Sequence, residues 1–289
     1  MPEISVILPS IRLEEVLQRI KEFSITNQDS DYEIIVVSPF PVKGDKVVHI
    51  AEEPLGCIHA HNTAYKNSSG KYIAYWGDRA SPTTNCLSNM LNFVKSNTDP
   101  FIGSFRFKDS RGGRERRQWT VYGKLYAAFG CASRNTINII GGYFDPIFKA
   151  YWVDPDMCLR TWEHGGKVEI CPNAWLEVNT FADQIAINNW GKYFDADKEA
   201  FFNRWHDKLG KGIRRDFHSV NKPLIITQRI DSFPLFMRPA LTRLYSTKME
   251  HPHPLKELQG KLYSWLAYIP YLRKIKRSLA KRLLHKRIQ

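Results

Sequence analysis

The sequence predicts an α/β protein with a mostly parallel sheet and helices on both faces of that sheet. Two continuous apolar runs, Ile4–Leu8 and Tyr32–Val37, are typical of strands that are buried on both faces. Between them, apolar residues recur at helical spacing from Leu13 to Phe23. Strands that alternate with helices in this way form parallel sheets, because each helix carries the chain back to the starting edge.

The rest of the first half continues this alternation, with polar and turn residues between the apolar runs. We expect a third strand at Lys46–Ile50, a helix at Ile58–Lys66, a fourth strand at Tyr72–Tyr75 and a helix over residues 81–96. Ser81 and Pro82 predict the start of the last helix, because serine favours the N-cap and proline the first helical position.

Three of the predicted strands end in polar or turn residues. Pro9 and Ser10 follow the first strand, Ser38 follows the second, and Asp78 comes shortly after the fourth. The carboxyl ends of parallel strands meet at one edge of a sheet, and ligands bind in the crevice beyond that edge. We therefore expect these residues to line one ligand crevice.

The second half is less regular. We expect a strand at Phe101–Phe107, an arginine-rich loop at Asp109–Gln118, a helix that begins near Asp154, and a strand at Lys167–Ile170. Asp154 suits the N-cap of its helix, since Pro155 follows at the first helical position and Asp156 adds negative charge in the first turn.

The positive charge of the chain is concentrated in residues 255–289, which we call the tail. The net charge is +13, and the tail has ten Lys or Arg residues and one acidic residue, so it carries nine of these thirteen charges. We divide the chain into a domain at residues 1–222 and an extension at residues 223–289. Apolar residues such as Trp265 and Leu266 beside the basic stretch predict an amphipathic helix on an anionic membrane surface. The alternative is a helix that docks on the core and leaves its basic face in solvent.

Other features favour a cytoplasmic protein. The five cysteines are scattered and form no CxxC pair, which argues against a disulfide framework and a zinc site. No apolar stretch is long enough to span a membrane, and the N-terminus lacks the basic region of a secretory signal. We expect a protein that is peripheral on the inner face of the cell membrane.

Five segments of the chain are similar, in order, to the motifs of one family. They are Ser5–Pro9, Tyr32–Val37, Gly56–Tyr75, Gly77–Asp78, and the pair Gly141–Asp145 and Asp154–Arg160. With these motifs, the chain resembles the family 2 glycosyltransferases of GT-A fold over about residues 3–180. The resemblance implies a Rossmann-like sheet and the transfer of a hexose from a nucleotide-sugar donor with inversion at the anomeric carbon.

The resemblance also implies roles for individual residues. Asp78 stands where the family has its Asp-x-Asp motif, which holds Mg²⁺ or Mn²⁺ across the donor diphosphate. His206 is a second candidate metal ligand. Asp154 is the expected base for the acceptor hydroxyl, and Asp156 is a second catalytic candidate. The other donor-binding candidates, taken from the motifs, the strand ends and the arginine-rich loop, are Pro9, Ser10, Ser38, Asn62, Arg79, Arg114 and Arg117.

Three positions depart from the family pattern. Ser38 replaces the aspartate that contacts the nucleotide base, Gly77 and Arg79 flank Asp78, and Val153 replaces the glutamate before the expected base. The family has a second acid beside the position of Asp78. Arg79 offers a fixed positive charge for the diphosphate, which would relax the need for a metal ion.

Together these features predict a glycosyltransferase of cell-surface polysaccharide synthesis. We expect its acceptor to be a saccharide that is linked to a lipid. One alternative is a degenerate GT-A domain that binds a nucleotide sugar without turnover. A second is a nucleic-acid-binding protein, suggested by the isoelectric point of 9.5. The nucleic-acid alternative is weaker, because the positive charge is concentrated in the tail and the sequence has no known nucleic-acid-binding motif.

Overall fold

The computed structural model describes residues 1–110, 118–121, 124–179, 183–209 and 215–218. In these residues the strands are β1 (Ile4–Ile7), β2 (Tyr32–Ser38), β3 (Val47–Ala51), β4 (Tyr72–Tyr75), β5 (Ala80–Pro82), β6 (Phe101–Asp109), β7 (Gln118–Val121), β8 (Lys124–Tyr126), β9 (Gly130–Ser133), β10 (Lys167–Val178) and β11 (Arg215–His218). The helices are α1 (Leu13–Thr26), α2 (Cys57–Lys66), α3 (Cys86–Lys95), α4 (Arg134–Ile139), α5 (Val153–Glu163) and α6 (Gln184–Leu209).

An eight-stranded sheet has the order β3-β2-β1-β4-β9-β6-β10-β5. Strands β3, β2, β1 and β4 are parallel to one another. Strand β9 runs antiparallel between β4 and β6, and β10 lies parallel to β6. The carboxyl ends of β1, β2 and β4 therefore meet at one edge, as the sequence predicts. A smaller antiparallel sheet has the order β11-β7-β8.

Helices cover both faces of the large sheet, which confirms the predicted α/β class. Side chains alternate between the faces along each strand. Ile4 and Val6 of β1 pack in one apolar core with residues of α1 and α3. Ile7 packs in a second core with residues of α2, α4, α5 and α6. The candidate base lies on the side of the second core, because it is carried by α5.

The predicted helix over residues 81–96 begins later than expected. Residues 80–82 form β5, which pairs with β10 at the edge of the sheet, and α3 begins at Cys86. Pro82 fits there because an edge strand does not need every backbone N–H group. The Ser81 hydroxyl does not cap α3, since it accepts a hydrogen bond from Arg19. The N-cap is instead Asn85, with φ of 57°, a region that asparagine enters more easily than most residues.

The predicted N-cap of α5 is also wrong by two residues. The N-cap is Trp152, so Asp154 and Pro155 are the second and third residues of the helix. Proline is tolerated at this position because the first N–H groups of a helix have no partner within it. The helix begins early because its preceding loop is held in place by Asp197, whose carboxylate accepts hydrogen bonds from the backbone N–H groups of residues 149–151.

Several elements of the second half were not predicted from the sequence. Strand β10 extends to Val178, eight residues beyond the predicted strand, and β9 inserts between β4 and β6. The long helix α6 follows. The tail lies outside the described residues, so its helix stays a prediction. Among the residues that the structure describes, none of the helices is long and apolar enough to cross a membrane.

Candidate active site

Polar residues from neighbouring strand ends meet at the predicted edge of the sheet. Pro9 and Ser10 follow β1, and Asp78 follows β4. The Ser10 hydroxyl donates a hydrogen bond of 2.7 Å to Oδ2 of Asp78, and both residues are buried. The structure therefore brings together the predicted residues of the first and fourth strands.

Arg12 links Asp78 to the start of α6, a connection that the sequence did not suggest. Its Nη1 lies 3.1 Å from Oδ2 of Asp78, and its Nε and Nη2 donate to the Asp183 carboxylate at 2.7 and 3.0 Å. Burial opposes the positive charge of Arg12, but the hydrogen bonds and charges of the two carboxylates outweigh it and raise the pKa of the guanidinium. Arg12 is therefore a fixed positive charge in the crevice.

Arg79 brings a second positive charge to the same edge. It follows Asp78 directly, and its charge helps to lower the pKa of Asp183, after the larger effect of the hydrogen bond from Arg12. Its Nη2 atom is buried and has no hydrogen-bond partner among the described residues. A buried guanidinium nitrogen without a partner costs free energy, and an anionic ligand at this position would satisfy it.

Two further donor-binding candidates are engaged within the protein. The Ser38 hydroxyl donates to the Phe40 carbonyl at 2.7 Å and lies 3.0 Å from Nε2 of His49. Because that hydroxyl has one proton, His49 must donate in the second bond. The Asn62 side chain donates to the Phe144 carbonyl at 2.9 Å, so it holds the loop after α4 against α2.

Cys57 joins the crevice to the loop that precedes α5. It is the first residue of α2 and is exposed to solvent, while desolvation raises the pKa of its thiol to about 11. Asp78 and Arg12 are near enough to affect that pKa. The pKa of Tyr151 is raised chiefly by burial and then by the nearby Cys57. The backbone N–H of Ile58, next to Cys57, donates to the carbonyl of Lys149 at 3.3 Å, so the start of α2 contacts the loop that precedes α5.

The two carboxylates at the start of α5 have different surroundings. Asp154 is half-buried, and it is near enough to Tyr75, at the end of β4, for its charge to affect the pKa of that residue. The pKa of Tyr75 is raised well above its usual value by burial first, and then by Cys158 and Asp154. Asp154 is therefore near the strand that leads to Asp78.

Asp156 is fully buried and its carboxylate is surrounded by donors. It accepts hydrogen bonds from Nε of Arg160 at 3.0 Å, from Nη1 of Arg204 at 2.9 Å and from Nε1 of Trp205 at 2.9 Å. A carboxylate in this environment ties α5 to α6 and is not accessible to an acceptor. The catalytic role predicted for Asp156 is thus corrected to a structural one.

Three candidates cannot be placed. Arg114 and Arg117 lie outside the described residues, and His206 lies in α6 at a position where only the backbone is described. In the described part of the chain, no group of three or more His, Cys, Asp or Glu side chains is arranged to hold a metal ion. Mg²⁺ and Mn²⁺ bound to a diphosphate need fewer protein ligands, because phosphate oxygens and water complete the coordination. The single carboxylate of Asp78 therefore fits such an ion.

The site contains residues that the sequence analysis missed. Arg12 lies two positions after Ser10 and just beyond the end of β1. The strand-end argument that predicted Ser10 could therefore have identified Arg12 as well. Asp183 and Asp197 could be found only with α6, in which Ile187, Trp190, Phe194, Phe201 and Trp205 lie on one face of the helix.

Two solved structures with a similar fold are glycosyltransferases. One is GalNAc-T7, solved with UDP, GalNAc and Mn²⁺, which matches with a TM-score of 0.52 and 12% identity over 72% of this chain and 52% of its own. Another is the mannosyltransferase PcManGT from Pyrobaculum calidifontis, solved with GDP-Man and Mn²⁺, with a TM-score of 0.54 and 13% identity over 93% of this chain and 82% of its own. The chain has the GT-A glycosyltransferase fold.

Sequence comparison adds no closer relative. No protein-family model matches the chain, and no curated protein matches it. The chain spans about half the length of GalNAc-T7. Both of these GT-A structures contain Mn²⁺, so a divalent metal cofactor occurs in this fold.

Proposed function

We propose that this protein transfers a hexose from a nucleotide diphosphate donor to a saccharide acceptor with inversion. The observation that carries the proposal is the arrangement of Asp78. Its carboxylate is fixed by Ser10 and Arg12 at the carboxyl edge of the sheet, the edge at which open α/β sheets bind their ligands. Two structures of similar fold, GalNAc-T7 and PcManGT, were solved with UDP and with GDP-Man. The unpaired Nη2 of Arg79 beside it suits a phosphate oxygen.

The donor diphosphate carries the charge that grows as the sugar leaves. Arg12 and Arg79 are positioned to stabilise that charge, since fixed positive groups need no rearrangement during the reaction. Asp78 would hold Mg²⁺ or Mn²⁺, and the ion would neutralise the phosphates of the leaving group. Ser10 and Arg12 set the direction of the Asp78 carboxylate for this purpose.

The acceptor hydroxyl needs a base on the opposite side of the sugar. Asp154 fits this role because it is partly accessible and lies in the first turn of α5, where the helix dipole favours its ionised form. Asp156, Arg204 and Asp197 support it by fixing the start of α5.

Nucleotide binding tests the donor half of the proposal. The thermal stability of the protein would be measured with a panel of nucleoside diphosphates and nucleotide sugars, with and without Mn²⁺. One or more should stabilise the wild type, by about 2.7 kcal/mol at a ligand concentration 100-fold above Kd. Asp78→Asn should remove the Mn²⁺-dependent part, whereas Asp29→Asn at an exposed position should retain it.

The outcomes separate the proposal from its rival. Full stabilisation of Asp78→Asn, or full activity of the wild type in excess EDTA, would assign the diphosphate to the arginines without a metal. A wild type that binds a nucleotide sugar but neither hydrolyses nor transfers it would support the degenerate, non-catalytic GT-A domain. A wild type that no member of the panel stabilises contradicts the donor site.

We further propose that the acceptor is lipid-linked and that the tail binds the inner face of the cell membrane. The support is the charge of residues 255–289, which carry nine of the thirteen net positive charges. Each basic residue near an anionic surface contributes about 1 kcal/mol of attraction. Co-sedimentation with anionic vesicles should be lost when residues 254–289 are deleted, and should weaken as salt rises. Equal binding by both proteins, or salt-sensitive binding to nucleic acid instead, would remove this part of the proposal.

A further inference from the structure

A cavity of about 420 Å³ lies between α2 and residues 143–149, which belong to the loop that joins α4 to α5. We call this cavity the α2 pocket. Its volume is within the range of about 300–1,000 Å³ that is usual for small-molecule sites. None of the residues that line it has a part in the sugar transfer proposed above, so its ligand is still to be assigned.

The apolar wall of the α2 pocket is fixed by contacts within the protein. The ring of Tyr143 stacks on that of Tyr65 with centroids 4.8 Å apart, and on that of Phe144 at 4.2 Å. The Asn62 side chain donates to the carbonyl of Phe144 at 2.9 Å, and Phe148 is buried in the second core. The pocket is therefore formed before a ligand arrives, as binding sites for small molecules usually are.

Two lysines give the α2 pocket a positive charge. Lys66 from α2 and Lys149 from the loop both line it, and the lining contains no Asp or Glu. Nζ of Lys149 donates to the carbonyl of Pro146 at 3.3 Å. Glu52 lies 3.4 Å from His59, but neither lysine has a carboxylate partner in the part of the chain that the structure describes. Positive charges without such partners attract anions, so the pocket suits an anionic ligand.

The opening of the α2 pocket is apolar. Leu55, which lines the pocket, is 65% exposed. Ile147, which lies between the lining residues Pro146 and Phe148, is 51% exposed. Exposed aliphatic side chains beside basic ones are typical of protein surfaces that meet lipid. An alkyl chain that leaves the pocket would cover Leu55 and Ile147, whereas a ligand that fits inside the pocket would leave them in water.

The α2 pocket borders the segment that positions the candidate base. The N–H of Ile58 donates to the carbonyl of Lys149 at 3.3 Å, so the start of α2 meets the loop at this residue. Asp197 holds the backbone of residues 149–151, and Asp154 follows shortly after them. Five residues span at most about 18 Å, which limits the distance from Lys149 to Asp154 along the chain. A ligand at Lys149 is therefore on the acceptor side of the proposed site.

We propose that the α2 pocket binds the lipid phosphate of the acceptor, with the phosphate at Lys149 and the first part of the alkyl chain against the aromatic wall. This rests on the proposed function, and it specifies the acceptor class as an alkyl phosphate that carries the saccharide. Lys66, at the end of α2, adds positive charge to the pocket. A nucleobase suits this wall less well than an alkyl chain does, because the rings of the wall already stack on one another.

The binding of three soluble probes to the full chain tests the proposal. Geranyl phosphate has a chain and a phosphate, geraniol has only the chain, and inorganic phosphate has only the anion. Isothermal titration calorimetry measures each probe at one ionic strength and below the critical micelle concentration. Geranyl phosphate should bind more tightly than either of the others by about tenfold or more, since each of these lacks one part of the contacts.

Substitutions of exposed lysines test the basic contacts. Lys149→Gln should weaken geranyl phosphate binding by about tenfold, because a hydrogen bond between charged groups is lost. Lys66→Gln should weaken it by about fivefold, through loss of a nearby charge. Lys149→Arg should retain most of the affinity. Lys21→Gln is the matched control, at an exposed position of α1 outside the pocket, and it should bind as the wild type does.

Leu55→Glu tests the apolar opening. It removes an aliphatic side chain and adds a negative charge at a position that is 65% exposed, so the fold should not be affected. Geranyl phosphate affinity should fall by about tenfold. Leu17→Glu makes the same change of charge at a position of α1 that is 42% exposed, and it should bind geranyl phosphate as the wild type does.

Three results would overturn the proposal. Equal affinity for geranyl phosphate and either of the other two probes would exclude a site for a lipid phosphate. Unchanged affinity in both Lys149→Gln and Leu55→Glu would place the ligand outside the α2 pocket. Displacement of geranyl phosphate by a nucleoside diphosphate with Mn²⁺ would assign the anion to the donor site instead.

Nucleotide-dependent thermal stabilisation, measured on the same protein, keeps this proposal separate from the proposed function. A wild type that a nucleotide stabilises but that binds no geranyl phosphate contradicts the lipid phosphate site and leaves the glycosyltransferase function intact. A wild type that binds geranyl phosphate but no nucleotide contradicts the proposed donor site. All of the variants above should keep the nucleotide binding of the wild type, because they lie outside the residues around Asp78.

Discussion

The two halves of the large sheet hold their candidate site residues by different means. In the half built from β1, β2 and β4, Ser10 and Asp78 are placed by the ends of neighbouring parallel strands. In the half built from β6 and β10, Asp154 is placed by a network of buried polar contacts between α5 and α6. The first kind of site is set by nearby sequence. The second kind depends on residues almost fifty positions apart, such as Asp156 and Trp205.

The largest expected effect distinguishes the catalytic role proposed for Asp154 from the structural role of its neighbours in α5. Asp154→Asn keeps the size of the side chain but removes the proton acceptor. Turnover should fall by about 10² to 10⁴, with donor binding close to that of the wild type. Steady-state kinetics and nucleotide-dependent thermal stabilisation check the two parts. Turnover like that of the wild type would exclude Asp154 as the base.

Asp156→Ala should act on stability instead. It removes the buried partner of Arg160 and Arg204, and breaking a buried ion pair in this way typically costs about 3–5 kcal/mol. Urea unfolding measures the change in the free energy of unfolding, with Asp29→Ala at an exposed position as the control. A stability equal to that of the wild type would show that the network does not hold α5, and the contrast between the two halves would fail.

The contact of His61 in α2 with the loop after α4 makes the stability of the protein depend on pH. His61 of α2 packs against Tyr143 and Phe144, and burial lowers its pKa from 6.5 to about 3. As pH falls below about 6.5 the unfolded chain takes up a proton that the folded chain cannot accept, so stability falls until pH about 3. The slope is about 1.4 kcal/mol for each pH unit.

His61→Phe isolates this effect, because phenylalanine fills an aromatic site and does not titrate. The free energy of unfolding of the variant should fall less steeply between pH 6.5 and 4 than that of the wild type. Parallel curves for the two proteins would mean that His61 is protonated in the folded state, and that the contact between α2 and the loop after α4 is more open than described.

The smallest expected effect concerns Arg12, which connects Asp78 to the start of α6. Arg12→Lys keeps the charge beside Asp78 but loses the paired nitrogens that bind Asp183. Nucleoside diphosphate affinity should fall about tenfold, by 1.4 kcal/mol, with little change in unfolding stability. Asp183→Asn should have a similar effect, since it removes the same attachment. A change in only one of the two variants would show that Arg12 acts without Asp183.

The sequence predicted the fold and the meeting of the strand ends at one edge because those features are local. Continuous apolar runs identified β1 and β2, and the residues at their ends fell where a parallel sheet puts its ligands. Capping rules failed at Ser81 and Asp154, because tertiary contacts from Arg19 and Asp197 decide where those segments begin. Such long-range contacts cannot be recognised from a short segment of sequence.

The rest of the site could not be predicted from local patterns. Arg12 and Asp183 are 171 residues apart, and nothing in either segment alone indicates the pair. Trp190 could be recognised in the sequence as part of the apolar repeat of α6. Its exposure could not be predicted, because the repeat alone does not show which part of a helix extends beyond the core.

The two attachments of α6 differ in kind, and this difference predicts how each of them responds to ionic strength. Asp197 is buried and bound to three backbone N–H groups, so that end is insulated from salt. Asp183 is 39% exposed and bound by one ion pair, whose strength falls as ionic strength rises. We therefore expect the attachment at Asp183 to be the more sensitive of the two to salt. The exposed attachment shares its cation with Asp78, so salt that weakens the Arg12–Asp183 pair also changes the surroundings of Asp78.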